Sequence, residues 1–141
     1  MSRKKRVLFL CIGNACRSQM AEAFARSYGS DVLVPFSAGF APAQRVPDDT
    51  LRAMDEKNLT LDGQFPKSVA DLAKEKFDFV INMSGFAAPH VQGTTVREWT
   101  VPDPVGMNYE NHCKVRDQIE DLVMKFILEL RREQKHLAGR G

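Results

Sequence analysis

A short apolar run, Arg6-Val7-Leu8-Phe9-Leu10, leads directly into Cys11-Ile12-Gly13-Asn14-Ala15-Cys16-Arg17-Ser18, and a helix-forming run follows at once. This juxtaposition constrains the fold more than any other feature. The apolar run reads as a buried parallel strand over Val7–Cys11. The run from Ser18 to Tyr28 is rich in Ala, Met, Gln and Glu and reads as a helix closed by Gly29. A loop between such elements turns successive backbone N–H groups inward, and the helix N-terminus adds partial positive charge. Together they form a cradle for a tetrahedral oxyanion, and the same donors stabilise a thiolate at its mouth.

Strand-like and helix-like runs alternate along the rest of the chain, which predicts an α/β fold with a parallel sheet and helices on both faces. A second strand is predicted over Val32–Ala38, on a sheet edge because Pro35 cannot donate to a ladder. A helix near Pro47 is expected to turn Leu51 and Met54 inward, with Asp48 and Asp49 in its first turn. A short helix is predicted from Ser68, its cap, to Lys74. Further strands are predicted over Phe77–Met83 and Val96–Val101. Val115, Ile119, Leu122, Val123, Phe126 and Leu130 then form the apolar stripe of a last helix. Ligands of open parallel sheets lie at the carboxyl ends of the strands. There the Cys11 loop, Met83-Ser84-Gly85 and Pro102-Asp103-Pro104 would meet.

The bulk numbers narrow the function classes. A chain of 141 residues has room for one domain with a core, read here as residues 1–141. A net charge of +2 does not suggest nucleic-acid binding. No apolar segment approaches the roughly 20 residues that span a bilayer, and no secretion signal is evident, so a cytoplasmic protein is expected. The basic run Arg3, Lys4, Lys5, Arg6 is expected to be a solvated tail. Cys11, Cys16 and Cys113 make neither a disulfide framework nor a zinc spacing, and His112 is expected on the surface beside a half-buried Cys113. No cofactor or metal is implied.

Residue chemistry points to covalent catalysis. Cys11 can attack phosphorus in line, and Arg17 can grip the equatorial oxygens with its planar fork. Ser18 can donate to the Cys11 sulfur. Gly13 would supply a positive φ or a close approach, and Asn14 would lock the loop. Asp103, stiffened by its proline neighbours, is the expected acid for the leaving group and later the base for water. Any one of these residues alone has an ordinary structural reading; their joint placement favours the site.

With those residues in view, the chain resembles the low-molecular-weight protein tyrosine phosphatase superfamily, which includes thiol-coupled arsenate reductases. The likeness is carried by Cys11–Glu22, by Ser37-Ala38-Gly39 and by Asp103-Pro104. It implies a three-layer, four-stranded parallel sheet and a cysteinyl-phosphate mechanism run by Cys11, Arg17 and Asp103. The phosphate would bind on Ile12, Gly13, Asn14, Ala15, Cys16, Arg17 and Ser18. The leading expectation is a phosphomonoesterase acting on a phosphorylated protein or small aryl phosphate, with phosphate, sulfate or arsenate also entering the loop.

An arsenate reductase using glutathione or mycothiol is the first alternative, and a non-catalytic oxyanion-binding module the second. Ser18-Gln19-Met20-Ala21-Glu22 and Trp99–Pro104 look more like the reductases. Thioredoxin-coupled reductases carry relay cysteines where this chain has Met83–Pro89, and that weighs against thioredoxin. Tyrosine phosphatases place aromatic residues after Asp-Pro, whereas Val105-Gly106-Met107 stand here, leaving Phe40 or Tyr109 as the possible ring walls. The resemblance also implies that Cys16 can form a protective disulfide with Cys11.

Overall fold

The computed structural model describes residues 3–139. Its elements run β1 (Lys5–Cys11), α1 (Arg17–Gly29), β2 (Leu33–Gly39), α2 (Asp48–Asp55), a one-turn 3-10 helix (Val69–Leu72), β3 (Phe79–Asn82), β4 (Thr95–Glu98) and α3 (Tyr109–Ala138). The four strands form one parallel sheet in the order β2-β1-β3-β4. Pro35 therefore lies on an edge strand, opposite Val7.

The alternating pleat sends β1 to two cores. Val7 and Phe9 join the large cluster built with Met20, Phe24, Ile81, Ile119, Phe126 and Leu130 of α1, β3 and α3. Met54 of α2 enters the same cluster. Leu8 and Leu10 face the other side, where Ala38, Val80, Phe36, Val69 and Leu72 cover them. The layer on that second side is thin, because the segment from Ser68 makes only a 3-10 turn. Ser68 caps it as expected, accepting from the Ala70 N–H at 3.1 Å while Asp71 accepts from the Ser68 N–H.

Four expectations are corrected. Leu51 is 43% exposed, and Thr50, Ala53 and Met54 form the buried side of α2 instead. The reason is the direction from which α3 packs, fixed in part by Arg116 donating to the Ala53 carbonyl at 2.8 Å. Gly29 does not close α1 by a left-handed turn; it is the last helical residue, followed by a right-handed Ser30. Glycine is required there by packing, because a Cβ would lie 2.7 Å from Ile127. The basic run is no free tail: Lys5 and Arg6 open β1, Arg3 pairs with Asp78 and Arg6 with Glu75. Finally, His112 is buried, at 2% exposure. No helix among the described residues is long and apolar enough to cross a membrane.

Candidate active site

The loop between β1 and α1 is held from outside by its carbonyls. Phe40, Ala41 and Ala43 donate backbone N–H groups to the carbonyls of Cys11 (3.3 Å), Ile12 (2.8 Å) and Gly13 (2.9 Å). The Gln19 amide donates to the Asn14 carbonyl at 2.9 Å. With the carbonyls turned outward, the N–H groups of Gly13, Asn14, Ala15 and Cys16 donate to no backbone carbonyl among the described residues. Unpaired N–H groups at the N-terminus of α1 are the arrangement that can receive an anion.

Gly13 does not carry the strain expected of it. Its φ is not positive, and a Cβ there would meet nothing nearer than 3.8 Å. Asn14 carries the left-handed turn instead, at φ 48. The close approach belongs to Gly39, where a Cβ would lie 2.6 Å from the Ile12 carbonyl oxygen and 2.7 Å from the Asn14 nitrogen. Those neighbours are backbone atoms and cannot swing away.

Cys11 sits at the end of β1, 2% exposed, with its sulfur 2.8 Å from the Ser18 hydroxyl. Asn14 Nδ2 donates to the same hydroxyl oxygen at 2.7 Å, which leaves the Ser18 proton free to point at the sulfur. Asn14 is fixed in turn, its Oδ1 accepting from the Lys67 N–H at 2.9 Å and from Gln19 Nε2 at 3.1 Å. Gln64 donates to the Gln19 side chain at 2.8 Å and Arg26 donates to Gln64 at 2.6 Å. A continuous chain of hydrogen bonds thus runs from the sulfur through the protein. Gln19 was named from the sequence only within the Cys11–Glu22 resemblance, with no role of its own, and Gln64 and Lys67 were not singled out, since nothing in their spacing marks them as neighbours of Cys11.

Arg17 is 5% exposed, and its Nη1 donates to the carbonyls of Met83 (2.5 Å) and Val101 (3.2 Å). Those carbonyls stand beyond the ends of β3 and β4, so the guanidinium is clamped across the rim where the three loops meet. Among the described residues its Nε and Nη2 make no hydrogen bond, and this edge is the one suited to two oxygens of an oxyanion. Nη2 lies 3.7 Å from Asp103 Oδ2. The Asp103 side chain is about half exposed, and its Oδ1 accepts from the Val105 N–H at 3.1 Å. Ser84 and Gly85 form a turn, with Gly85 at φ 83 and the Ser84 N–H bonded to Asn82 Oδ1.

Neither expected ring wall is free. Phe40 packs against the Leu8–Leu10 cluster. Tyr109 has the Arg52 guanidinium 3.8 Å from its ring centroid and its hydroxyl bonded to Glu56. Cys16 is buried, and burial, opposed by Thr50, pushes its thiol up to about 11. All three cysteines are free thiols.

Comparison with known proteins agrees with this architecture. Arsenate reductases from Bacillus cereus (strain 03BB102) and Bacillus anthracis (strain A0248) are each 32% identical over 133 residues, spanning 89% of this chain and 96% of theirs. An arsenate reductase solved in the phosphate binding state superposes with a TM-score of 0.80 at 28% identity, covering 89% of this chain and 98% of that one. An arginine phosphatase from Geobacillus stearothermophilus shares the fold, with a TM-score of 0.78 at 21% identity over 94% of this chain and 96% of that one. The family model for low molecular weight phosphotyrosine protein phosphatases matches residues 6–136, and the chain belongs to that family.

Proposed function

We propose that this protein is an arsenate reductase that draws its electrons from a small external thiol such as glutathione or mycothiol. The observation that carries the reading is an oxyanion cradle whose mouth has lost its expected ring walls. Phe40 and Tyr109 are engaged elsewhere, and Val105, 65% exposed, follows Asp103-Pro104. Such a site suits a bare tetrahedral oxyanion better than a phosphotyrosine ring. The relatives named arsenate reductase support the same choice.

The chemistry balances as follows. The Cys11 thiolate attacks arsenic while the loop N–H groups and the Arg17 edge hold the oxygens. One hydroxyl leaves as water with the Asp103 proton, giving an S–As(V) adduct. An external thiolate attacks the Cys11 sulfur; the S–As bond breaks and its electron pair stays on arsenic, releasing arsenite. A second thiol reduces the mixed disulfide at Cys11. Two thiols and one arsenate become one disulfide, one arsenite and one water. Cys16 does not suit the role of internal electron donor, because its buried thiol keeps its proton at neutral pH.

A second reading, phosphomonoester hydrolysis, is favoured by the approach of Asp103 to Arg17 at 3.7 Å, which sets an acid and a phosphoryl clamp side by side. In it Cys11 would form a cysteinyl-phosphate and Asp103 would activate water. The two separate cleanly by mass spectrometry. Protein incubated with arsenate and a single equivalent of glutathione, too little to resolve the mixed disulfide, should carry one glutathione at Cys11. A mass unchanged by arsenate and glutathione, with para-nitrophenyl phosphate hydrolysed rapidly, would reverse the order of the readings.

A further inference from the structure

Among the described residues, neither Arg26 nor Gln64 hydrogen-bonds to residues 11–18, yet the chain of bonds behind Cys11 ends on them. It can be followed donor by donor. Arg26 Nη1 donates to Gln64 Oε1 at 2.6 Å, Gln64 Nε2 to Gln19 Oε1 at 2.8 Å, and Gln19 Nε2 to Asn14 Oδ1 at 3.1 Å. Asn14 Nδ2 then donates to the Ser18 oxygen at 2.7 Å, and that oxygen stands 2.8 Å from the Cys11 sulfur. Backbone groups fix the direction of each amide. The Lys67 N–H can only donate, so it takes Asn14 Oδ1 and leaves the amide nitrogen for Ser18. The carbonyls of Asn14 and Gln19 can only accept, so they take Gln19 Nε2 at 2.9 Å and Gln64 Nε2 at 3.1 Å. A guanidinium has no acceptor, which closes the outer end in the same sense. Every donor in the chain therefore points toward the sulfur.

Asn14, Ser18 and Gln19 are fully buried, so no water competes with these dipoles, and aligned bonds strengthen one another there. Arg26 is held in turn by Glu22, a buried carboxylate that also accepts from the Ser37 hydroxyl at 2.5 Å. That ion pair leaves Arg26 little net charge to project. What it supplies is a donor that cannot turn round. We propose that Gln64 and Arg26 are positioning residues for Cys11, the outer end of a one-way relay that keeps the Ser18 proton on the sulfur and favours the thiolate. The proposal rests on Cys11 as the nucleophile, a role that both readings of the site share.

The readout is the ultraviolet absorbance of the Cys11 thiolate against pH in phosphate-free buffer, each protein measured against its own Cys11→Ser counterpart. Gln64→Glu keeps the size and an acceptor for Arg26, but a carboxylate cannot donate to Gln19. Either Gln19 loses its partner or its amide turns and abandons Asn14, and both cut the relay. The thiolate midpoint should rise by ~0.5–1 pH unit, the contribution of about one hydrogen bond. Gln64→Met, which adds no charge, should move it the same way. Arg26→Met should move it less, and Arg26→Lys, which still donates, should restore most of the difference. A merely structural glutamine would lower the melting temperature and leave the midpoint in place. A midpoint unmoved in folded Gln64→Glu or Gln64→Met overturns the relay; if Gln64→Glu does not fold, Gln64→Met decides.

The double variant separates a relay from a plain charge effect. If Arg26 acts through Gln64, Arg26→Met should change nothing further on the Gln64→Met background. Equal effects in both backgrounds would mean that the guanidinium reaches the sulfur through space, and would overturn the relay. None of these readings needs turnover. Protein that oxidises no thiol with arsenate would sink the reductase reading alone, and the midpoints would still decide the relay.

Discussion

Ser18 and Gly39 carry the oxyanion loop, one through a proton and the other through an absent side chain. Ser18 is the donor nearest the Cys11 sulfur, and Asn14 fixes its direction. Ser18→Ala should therefore leave the fold intact but lower turnover by ~10–100-fold, about 1.4–2.7 kcal/mol of transition-state stabilisation. Steady-state kinetics beside a thermal melt checks this; a loss of stability matching the loss of rate would contradict it. Gly39→Ala forces a Cβ against the backbone of Ile12 and Asn14, so both stability and oxyanion binding should fall. The expected cost is ~1–3 kcal/mol, read from chemical denaturation and phosphate titration. The Cys16 thiol, held near 11, should resist iodoacetamide at pH 8 while half-buried Cys113 reacts. Peptide mapping that finds Cys16 alkylated first would show that the loop opens.

Among the elements, α1 is the one on which the site depends, since it begins at the oxyanion loop and ends against α3. Gly29 lets that end seat on Ile127. Gly29→Ala should destabilise by ~1–3 kcal/mol, and Gly29→Ala with Ile127→Ala should cost less than the two changes summed, because the atoms in conflict belong to one contact. Independent, additive effects in denaturation would contradict the packing account. The strand–loop–helix unit around Cys11 was legible from sequence because its apolar run, loop residues and helix formers are contiguous. The sheet edge was legible from Pro35, and the inner side of α3 from its long stripe. The inward face of α2 was not: an eight-residue helix has little periodicity, and Arg116 of α3 helps decide which side is buried. Thr50 and His112 are separated by 62 positions, so no local pattern could pair them. Gly29 was visible only as a helix closer and Gly39 only within the Ser37-Ala38-Gly39 resemblance, because close packing leaves no mark in the sequence.

For the whole molecule, two buried groups, Cys16 and His112, contribute to opposite flanks of the pH–stability curve. His112 is pushed toward neutrality by burial, so its folded form binds a proton less readily than the unfolded chain. Its contribution is intact above about pH 6.5 and is lost as pH falls below that, at up to about 1.4 kcal/mol per pH unit. Cys16 acts oppositely: the unfolded thiol ionises near pH ~8.5, whereas the folded one holds its proton to about 11. Stability attributable to it is present below about pH 8.5 and is lost as pH rises toward 11. Urea melts across pH should show the acid limb flatten in His112→Phe and the alkaline limb flatten in Cys16→Ala. Limbs unchanged in both variants would contradict the assignment.

The site's parts come from three distant stretches of chain, and the sheet brings them to one rim with Arg17 clamped between the Met83 and Val101 carbonyls. The central claim is that this rim transfers electrons from an external thiol to a bare oxyanion. The most direct test is a stoichiometry: glutathione or mycothiol consumed and arsenite formed, with purified reduced protein and with Cys11→Ser. The account predicts two thiols oxidised per arsenite in wild type and no arsenate-dependent oxidation in the variant. Folded wild-type protein that oxidises no thiol with arsenate, while hydrolysing phosphate esters through Cys11, would contradict it.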